Sequence, residues 1–306
     1  MIHGEAGKRR LRSSHSLKCE QQCPMRGVLV SEGSSASDGP DRRLSPTFDA
    51  SVAQNARVWN YWLGGKDHYP VDREVGDHIA GMFPHIVDVA RHDRAFLGRA
   101  VRYMAGEAGI RQFLDIGTGM PTVDNTHEVA QRVAPECCIV YVDNDPLVLV
   151  HARALLTSTP EGATGYVNAD VHHPDAILQQ AGAWLDFTQP VAVMMLGILN
   201  FVLDLDEAYR VVRRLTAVVP SGSCLAITHP TLELGGEVNV EAMRFWNENA
   251  RPPITARSGP EIAGFFDGLE LLEPGLVSCS RWRPDLAEVN EVTPPVPQYG
   301  AVGRRP

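Results

Sequence analysis

The chain has 306 residues, 44% of them hydrophobic, so it is long enough to bury a sizeable core as one large domain or two small ones. Its 28 basic and 37 acidic residues give a net charge of −9, which argues against a protein that binds nucleic acid by general attraction to phosphates. The apolar runs fall short of the roughly 20 residues that cross a bilayer, so we expect no membrane span.

The N-terminal residues 1–45 are rich in serine, glycine and arginine and show no apolar periodicity. Such a segment buries too little apolar surface to offset the entropy of ordering, so we predict a disordered tail. Cys19 and Cys23 have the spacing of half a zinc site, but no second Cys/His pair follows at the required distance. We therefore assign no metal to the chain.

The six cysteines are few for this length, and two of them, Cys137 and Cys138, are adjacent. A disulfide framework has a different spacing, so we expect a reducing, cytoplasmic environment.

Residues 46–110 are predicted to form a helical extension ahead of the main domain. A first helix of about four turns is expected from Asp49 to the pair Gly64-Gly65, which stops it. Pro70 and Pro84 are each placed to open a further helix at its first position.

From residue 111 to 306, short apolar runs alternate with helical segments. This alternation is typical of a Rossmann-like α/β fold, in which helices cover both faces of a doubly wound, mainly parallel sheet. The predicted strands are Gln112–Ile116, Ile139–Val142, Gly165–Asn168, Val191–Leu196, Ser223–Thr228 and, at the end, Gln298–Gly303. The predicted helices between the first five are Thr126–Val133, Pro146–Leu156, Pro174–Gln180 and Glu207–Val218.

A glycine turn follows the first of these strands. The strand leads from Asp115 into Gly117, Thr118 and Gly119. Ligands of open α/β sheets bind beyond the carboxyl ends of the strands, where glycines let the backbone approach them closely. A dinucleotide fingerprint requires a third glycine where this chain has Thr122, so a tight pyrophosphate turn is not supported.

Carboxylates end the second and third strands. Asp143 and Asn144 follow the second strand, and Asp170 follows the third. A carboxylate at the end of the second strand can accept hydrogen bonds from both hydroxyls of a ribose, a chemistry that NAD and S-adenosylmethionine sites share. We expect Asp170 to accept a hydrogen bond from an adenine amino group. The simple alternative is that these residues merely form turns.

These strand ends together resemble the cofactor site of class I S-adenosylmethionine methyltransferases. Over residues 48–306 the chain is similar to an actinobacterial S-adenosyl methyltransferase family long described as a domain of unknown function. The stretches that carry the resemblance are Ala56–Arg73, Arg94–Phe96, Gln112–Thr122, His127–Gln131 and Tyr141–Pro146. It implies a class I fold, S-adenosylmethionine as the cofactor at these strand ends, and a methyl acceptor.

The chain departs from the family pattern at two places. Asp93 stands where the family usually has Asn, and His172-His173 stands where it usually has Arg-Asp. Adjacent histidines rarely direct both rings at one ion, so we interpret this pair as part of a solvated loop rather than as metal ligands.

Two residues after later strands are candidates for contact with the acceptor. His229 follows the fifth strand and is the best candidate for a general base; the alternative is a histidine satisfied by the turn before Pro230. Asn200 follows the fourth strand and is a candidate for acceptor binding, unless it caps the next helix.

An aromatic residue of the N-terminal extension is a further candidate for the cofactor site. The face of Tyr61 would attract the cationic sulfonium of the cofactor, although the alternative is core packing, which we prefer for Trp62. We predict that the helix from Asp49 and the turn at Gly64-Gly65 form a lid over the site, because glycines can absorb the backbone change of closure.

The sequence thus predicts a methyltransferase that uses S-adenosylmethionine and acts on a small-molecule acceptor. One alternative is a non-catalytic S-adenosylmethionine-binding or regulatory protein, since no unambiguous base is present. The other is an NAD-dependent oxidoreductase, which Thr122 disfavours. The acceptor and the oligomeric state are not predicted.

Overall fold

A computed structural model of the chain describes residues 50–284 and 294–306. The predicted tail, the Cys19/Cys23 pair and the helix start at Asp49 lie outside the described residues. Within the described part, no helix combines the length and the apolar character needed to cross a membrane.

The N-terminal part contains one short strand and three helices. They are β1 (Ala53–Gln54), α1 (Asn55–Trp62), α2 (Pro70–Met82) and α3 (Ile86–Gly106). The prediction of a four-turn first helix is wrong, because α1 has eight residues, about two turns. Residues 53–54 are instead extended and pair in parallel with Ala250–Arg251. Pro70 begins α2 as predicted, and α3 begins two residues after Pro84.

A mainly parallel sheet forms the centre of the molecule, as predicted. Its strands are β2 (Gln112–Ile116), β3 (Cys138–Asp143), β4 (Ala163–Asn168), β5 (Val191–Leu196), β6 (Cys224–Pro230), β8 (Glu270–Leu271), β9 (Val277–Ser278) and β10 (Gln298–Arg304), and β7 (Ala250–Arg251) is the partner of β1. The order is β4-β3-β2-β5-β6-β10-β8, with β9 also paired to β10. The strands β2 to β6 are parallel, and β10 is antiparallel to its neighbours.

Helices connect the parallel strands and follow the last of them. They are α4 (Thr126–Val133), α5 (Pro146–Leu155), α6 (Pro174–Ala181), α7 (Leu205–Ala217), α8 (Gly236–Asn249) and α9 (Gly259–Ala263). Local chemistry explains where several of them begin. Pro146 and Pro174 occupy the first positions of α5 and α6, and the Asp204 carboxylate accepts a hydrogen bond from the Glu207 amide at the start of α7.

Both faces of the sheet are buried by helices. Along β2, Phe113 belongs to the core that α1, α2 and α3 cover, whereas Leu114 and Ile116 belong to the core beneath α6, α7 and α9. Residues of α3 belong to the same core as one face of the sheet. The domain boundary expected at residue 110 stays a prediction.

The strand order reverses beside β2. The chain continues from β2 to β3 on one side, whereas β5 lies on the other side of β2. In open α/β sheets, ligands bind in the crevice at such a reversal, outside the carboxyl ends of the strands.

Candidate active site

A cavity of about 280 Å³, called the first cavity below, lies at the carboxyl ends of β2, β3, β4 and β5. Its walls contain residues that follow each of these strands, together with residues of α1 and α3. The structure brings seven of the eight predicted cofactor residues together here: Asp115, Gly117, Thr118, Gly119, Asp143, Asn144 and Asp170. Their role in binding stays a prediction, and the eighth residue, Tyr61, lies elsewhere.

The glycine turn has a backbone that other residues rarely adopt. Gly117 and Gly119 have φ angles of +78° and +65°. A Cβ on Gly117 would lie 2.6 Å from the side chain of Ile198, whereas a Cβ on Gly119 would meet nothing within 4 Å. The Thr118 hydroxyl donates to the carbonyl of Asp115 at 3.2 Å and closes the turn. A ligand can therefore approach the backbone at Gly119.

Asp143 is oriented by two backbone amides. The Gly119 amide donates to its Oδ2 at 3.0 Å, and the Asp145 amide donates to its Oδ1 at 2.9 Å. Each carboxylate oxygen retains acceptor capacity for a hydroxyl of a ligand. Burial raises the pKa of Asp143 to about 6, because desolvation of the charged form outweighs the amide hydrogen bonds.

Asp115 and Arg94 place opposite charges in the same cavity. Thr126 donates to Asp115 Oδ2 at 2.6 Å, and burial raises the Asp115 pKa to about 6 against the opposing effects of Thr126 and Arg94. The Arg94 guanidinium is held by the carbonyl of Val123 and by Asn125 Oδ1, each at 3.1 Å. An ammonium and a carboxylate of one ligand would match this pair. Arg94 was not among the predicted site residues, although it lies in one of the stretches that carry the family resemblance.

Asn144 and Asp170 form the part of the cavity beyond β3 and β4. Asn144 Nδ2 donates to Asp170 Oδ2 at 2.7 Å, and the amide of His172 donates to Asp170 Oδ1 at 2.9 Å. The ring of His172 faces Glu207, with 2.9 Å between Nδ1 and Oε1. Among the described residues, no group of three or more His, Cys, Asp or Glu is arranged to hold a metal ion.

The prediction that Tyr61 faces the site is wrong. Its hydroxyl donates to Asp77 Oδ1 at 2.5 Å, and its ring packs edge-on against His68. Trp59 lines the first cavity instead. The reason is the helical period, because a residue two positions later points about 200° further around the helix.

The prediction that His229 is the general base is also wrong. The side chain is fully buried, with 2.9 Å from Nδ1 to the carbonyl of Pro230 and 2.7 Å from Nε2 to Arg257 Nη1. Desolvation, together with the nearby Arg257 charge, lowers its pKa to about 4. It lines neither of the two cavities described, so the alternative of a histidine satisfied within the fold is the better interpretation.

Asn200 lies in a short 3₁₀ turn after β5 and lines a second cavity of about 80 Å³. Because Asp204 provides the cap of α7, Asn200 is not needed there. Three residues, Asn55, Trp59 and Gly197, line both cavities, so the second cavity adjoins the first.

Asp93 of α3 lines the first cavity and was noted in the sequence only as a departure from a family pattern. Gln298 Nε2 donates to its Oδ1 at 3.2 Å, across 205 positions of the chain. Burial raises the pKa of Asp93, and the side chains of Thr228 and Gln298 oppose the shift. No local pattern places α3 next to β10, so the position of Asp93 in the cavity could not be predicted from the sequence.

The mainly parallel sheet with helices on both faces is the fold of the class I methyltransferases. The profile of the family described as S-adenosyl methyltransferase matches residues 41–306. The chain therefore belongs to the S-adenosyl methyltransferase family, and S-adenosylmethionine is its cofactor.

Two solved structures from actinobacteria are similar over most of the chain. A DUF574 family protein from Streptomyces avermitilis is 46% identical with a TM-score of 0.81, covering 84% of this chain and 99% of its own. A candidate methyltransferase from Thermobifida fusca is 39% identical with a TM-score of 0.76, covering 86% of this chain and 99% of its own. Among proteins with curated descriptions, none matches the chain.

Proposed function

We propose that the chain transfers the methyl group of S-adenosylmethionine to a small-molecule acceptor. The observation that carries this proposal is Asp143, because the amides of Gly119 and Asp145 hold its carboxylate in the first cavity beside an unobstructed glycine turn. An ionised acceptor at the end of the second strand of the parallel sheet suits the two hydroxyls of a ribose.

The other residues of the first cavity fit the remaining parts of the cofactor. Asp115 and Arg94 suit the ammonium and the carboxylate of its amino-acid end, and the Gly117–Gly119 turn lies between them and Asp143 in the chain. Asn144 and Asp170 are placed for the adenine, beyond the ribose position. This assignment uses every predicted cofactor residue except Tyr61, and it adds Arg94 and Trp59.

The bound cofactor supplies an activated methyl group on a sulfonium. The task of the chain is to hold an acceptor in line with that methyl group and to exclude water, which accounts for most of the catalysis in such displacements. Trp59 lines both cavities and is placed to attract the sulfonium with its ring face.

A small acceptor agrees with the dimensions of the site. The second cavity has a volume of about 80 Å³. The net charge of −9 argues against nucleic acid as the acceptor.

Calorimetry with S-adenosylhomocysteine tests the cofactor assignment. Asp143→Ala removes hydrogen bonds to an ionised acceptor, so affinity falls at least about tenfold. Asp175→Ala is the matched control, because this carboxylate is exposed on α6 and pairs with Arg214 away from the cavity. Equal affinity in the Asp143 variant, or tighter binding of NAD than of S-adenosylhomocysteine by the natural protein, would contradict the proposal.

Turnover separates an enzyme from a protein that only binds the cofactor. The protein is incubated with S-adenosylmethionine carrying a labelled methyl group and the small-molecule fraction of a cell extract. We expect label in a new small product. Tight cofactor binding with no transfer from any extract fraction would favour the non-catalytic alternative.

A further inference from the structure

The second cavity is built from parts of the chain that are far apart in sequence. Its walls come from α1, α2, α3 and α8, from the segment after β5 and from the start of β10. It adjoins the first cavity at Trp59 and Gly197, beside the site proposed for the cofactor. A pocket in this position is suited to a molecule that reacts with the bound cofactor.

The chemistry of its walls selects a neutral, mainly apolar ligand. Three tryptophans, Trp59, Trp62 and Trp246, line it together with aliphatic side chains. The polar side chains that line it are the carboxamides of Asn55, Asn200, Asn239 and Gln298. Since no cationic side chain belongs to this described wall, an anionic ligand would lose its hydration without gaining a counter-charge there.

Asn200 offers this cavity an unused hydrogen-bonding group. The side chain is 6% exposed, and its Oδ1 has no hydrogen-bond partner among the described residues. Its backbone carbonyl is already used by the amide of Thr255. A buried acceptor without a donor is unfavourable, so a ligand with a matching O–H or N–H group gains by satisfying it.

Asp93 provides a proton acceptor where the two cavities meet. It lines the first cavity and is held by Gln298, which lines the second. A Cβ built on Gly197, which belongs to both walls, would lie 4.0 Å from Gln298 Nε2. Burial raises the pKa of Asp93 against the side chains of Thr228 and Gln298 and the charge of Arg94. The Cys279 thiol, with Arg99 beside it, also lies near Asp93.

We propose that the second cavity is the acceptor site and that it takes a neutral, ring-sized apolar molecule with two protic groups. One of these groups donates to the Asn200 carboxamide, and the other is methylated and gives its proton to Asp93. This inference rests on the proposed function. A cavity of about 150 Å³ admits benzene, and the second cavity alone has about 80 Å³. A ring therefore also occupies part of the first cavity, which adjoins the second at Trp59 and Gly197.

The transfer balances without a further reactant. A lone pair of the acceptor heteroatom forms a bond to the methyl carbon while the carbon–sulfur bond breaks and its electron pair stays on sulfur. The proton of the acceptor group passes to the Asp93 carboxylate, leaving a neutral methylated product and a neutral thioether.

Ligand-observed NMR titrations at pH 8, with S-adenosylhomocysteine at saturation, test the selectivity on the natural protein. The probes are toluene, phenol, the three dihydroxybenzenes and benzoate. We expect phenol to bind more tightly than toluene, and at least one dihydroxybenzene to bind about fivefold more tightly than phenol. We expect benzoate, the anion, to bind at least about tenfold more weakly than phenol.

Two variants assign the two hydroxyls. Asn200→Leu removes the advantage of the best dihydroxybenzene over phenol and leaves the advantage of phenol over toluene. Asp93→Asn leaves the advantage of the best dihydroxybenzene over phenol. It reduces the advantage of phenol over toluene about fivefold, because a charge-assisted hydrogen bond becomes a neutral one. Met243→Phe, on another part of the wall, weakens all neutral probes and leaves S-adenosylhomocysteine affinity unchanged.

The results distinguish this inference from the proposed function. Failure of S-adenosylhomocysteine to bind would overturn the proposed function itself. If the cofactor binds normally, the acceptor site alone would be overturned by benzoate binding as tightly as phenol, or by the second hydroxyl giving no advantage. The same conclusion would follow if the advantage persisted in Asn200→Leu. The ranking of probes on the natural protein decides the matter even if a variant does not fold.

Discussion

Residues at the strand ends were predictable because their type and place follow a local rule. Asp115 is the last residue but one of β2, Asp143 ends β3 and Asp170 follows β4, and the ends of these parallel strands meet at one edge of the sheet. The predictions for Tyr61 and His229 were wrong, because the direction and burial of a side chain depend on packing that a local sequence pattern does not show. His229 lies inside β6, one residue before its end, and Arg257 and Phe265 cover its side chain.

At this scale we predict that cofactor affinity falls when the solution becomes acidic. Asp115 and Asp143 have pKa values of about 6, and both must be ionised to bind an ammonium and ribose hydroxyls. Lowering the pH from 7.5 to 5 protonates them, so S-adenosylhomocysteine affinity falls by about tenfold for each group. Affinity that stays constant over this range in calorimetry would contradict the assignment.

The same two groups make the cofactor-free protein more stable as the solution becomes acidic, whereas its cofactor affinity falls. Their pKa values in the folded state lie above the ordinary value of 3.8, so between about pH 4 and 6 the folded protein binds more protons than the unfolded chain. Their contribution to the free energy of unfolding therefore rises as the pH falls through 6. Asp143→Asn reduces this contribution in thermal melts and serves as the control.

At the scale of elements, the sequence periodicity predicted the bounds of most helices and strands to within a few residues. The exception was the start of the chain's described part, where β1 replaces the predicted first turns of a helix. Its partner, Ala250–Arg251, lies nearly 200 positions later, so a local pattern had no means of showing the pair. The strand order likewise depends on contacts between distant segments.

The buried ion pair between Arg57 and Asp72 joins β1, α1 and α2. Arg57 Nε donates to Asp72 Oδ2 at 2.8 Å, and the amides of Gln54 and Tyr69 donate to the same carboxylate. Removing one partner leaves a buried charge, so Asp72→Ala lowers the free energy of unfolding by about 3–5 kcal/mol. Denaturant titration measures this loss.

Asp77→Ala is the matched control for this prediction. Asp77 is also on α2, but its hydrogen bond to Tyr61 is exposed. We expect a change below about 1 kcal/mol. Similar losses in the two variants would show that the buried pair has no special role in joining these elements.

We predict that α1 and the turn after it become more protected when the cofactor binds. Asn55, Trp59, Asn60 and Leu63 line the first cavity, and Asn60 Nδ2 has no hydrogen-bond partner among the described residues. Gly64, at φ +79°, provides a point where the backbone can adjust.

Hydrogen exchange with and without S-adenosylhomocysteine measures this change. Amides of residues 55–65 should gain protection together with those of 117–122, whereas α6 serves as a reference outside the cavity. If the amides of 117–122 gain protection and those of 55–65 do not, α1 is a fixed wall of the cavity and not a lid.

At the scale of the whole molecule, the alternation of strands and helices was enough to predict the α/β class. The proposed acceptor site was not predictable, because the second cavity is lined by α1, α2, α3, α8 and β10, which are far apart in the sequence. The cytoplasmic location stays a prediction. The cysteines that the structure describes, Cys137, Cys138, Cys224 and Cys279, are buried thiols.

A crystal structure of the protein with S-adenosylhomocysteine tests the central claim most directly. We predict that both ribose hydroxyls bond to Asp143, that the amino-acid end lies between Asp115 and Arg94, and that the sulfur points to the junction at Trp59 and Gly197. A ligand bound elsewhere, or a sulfur directed away from that junction, would contradict the account.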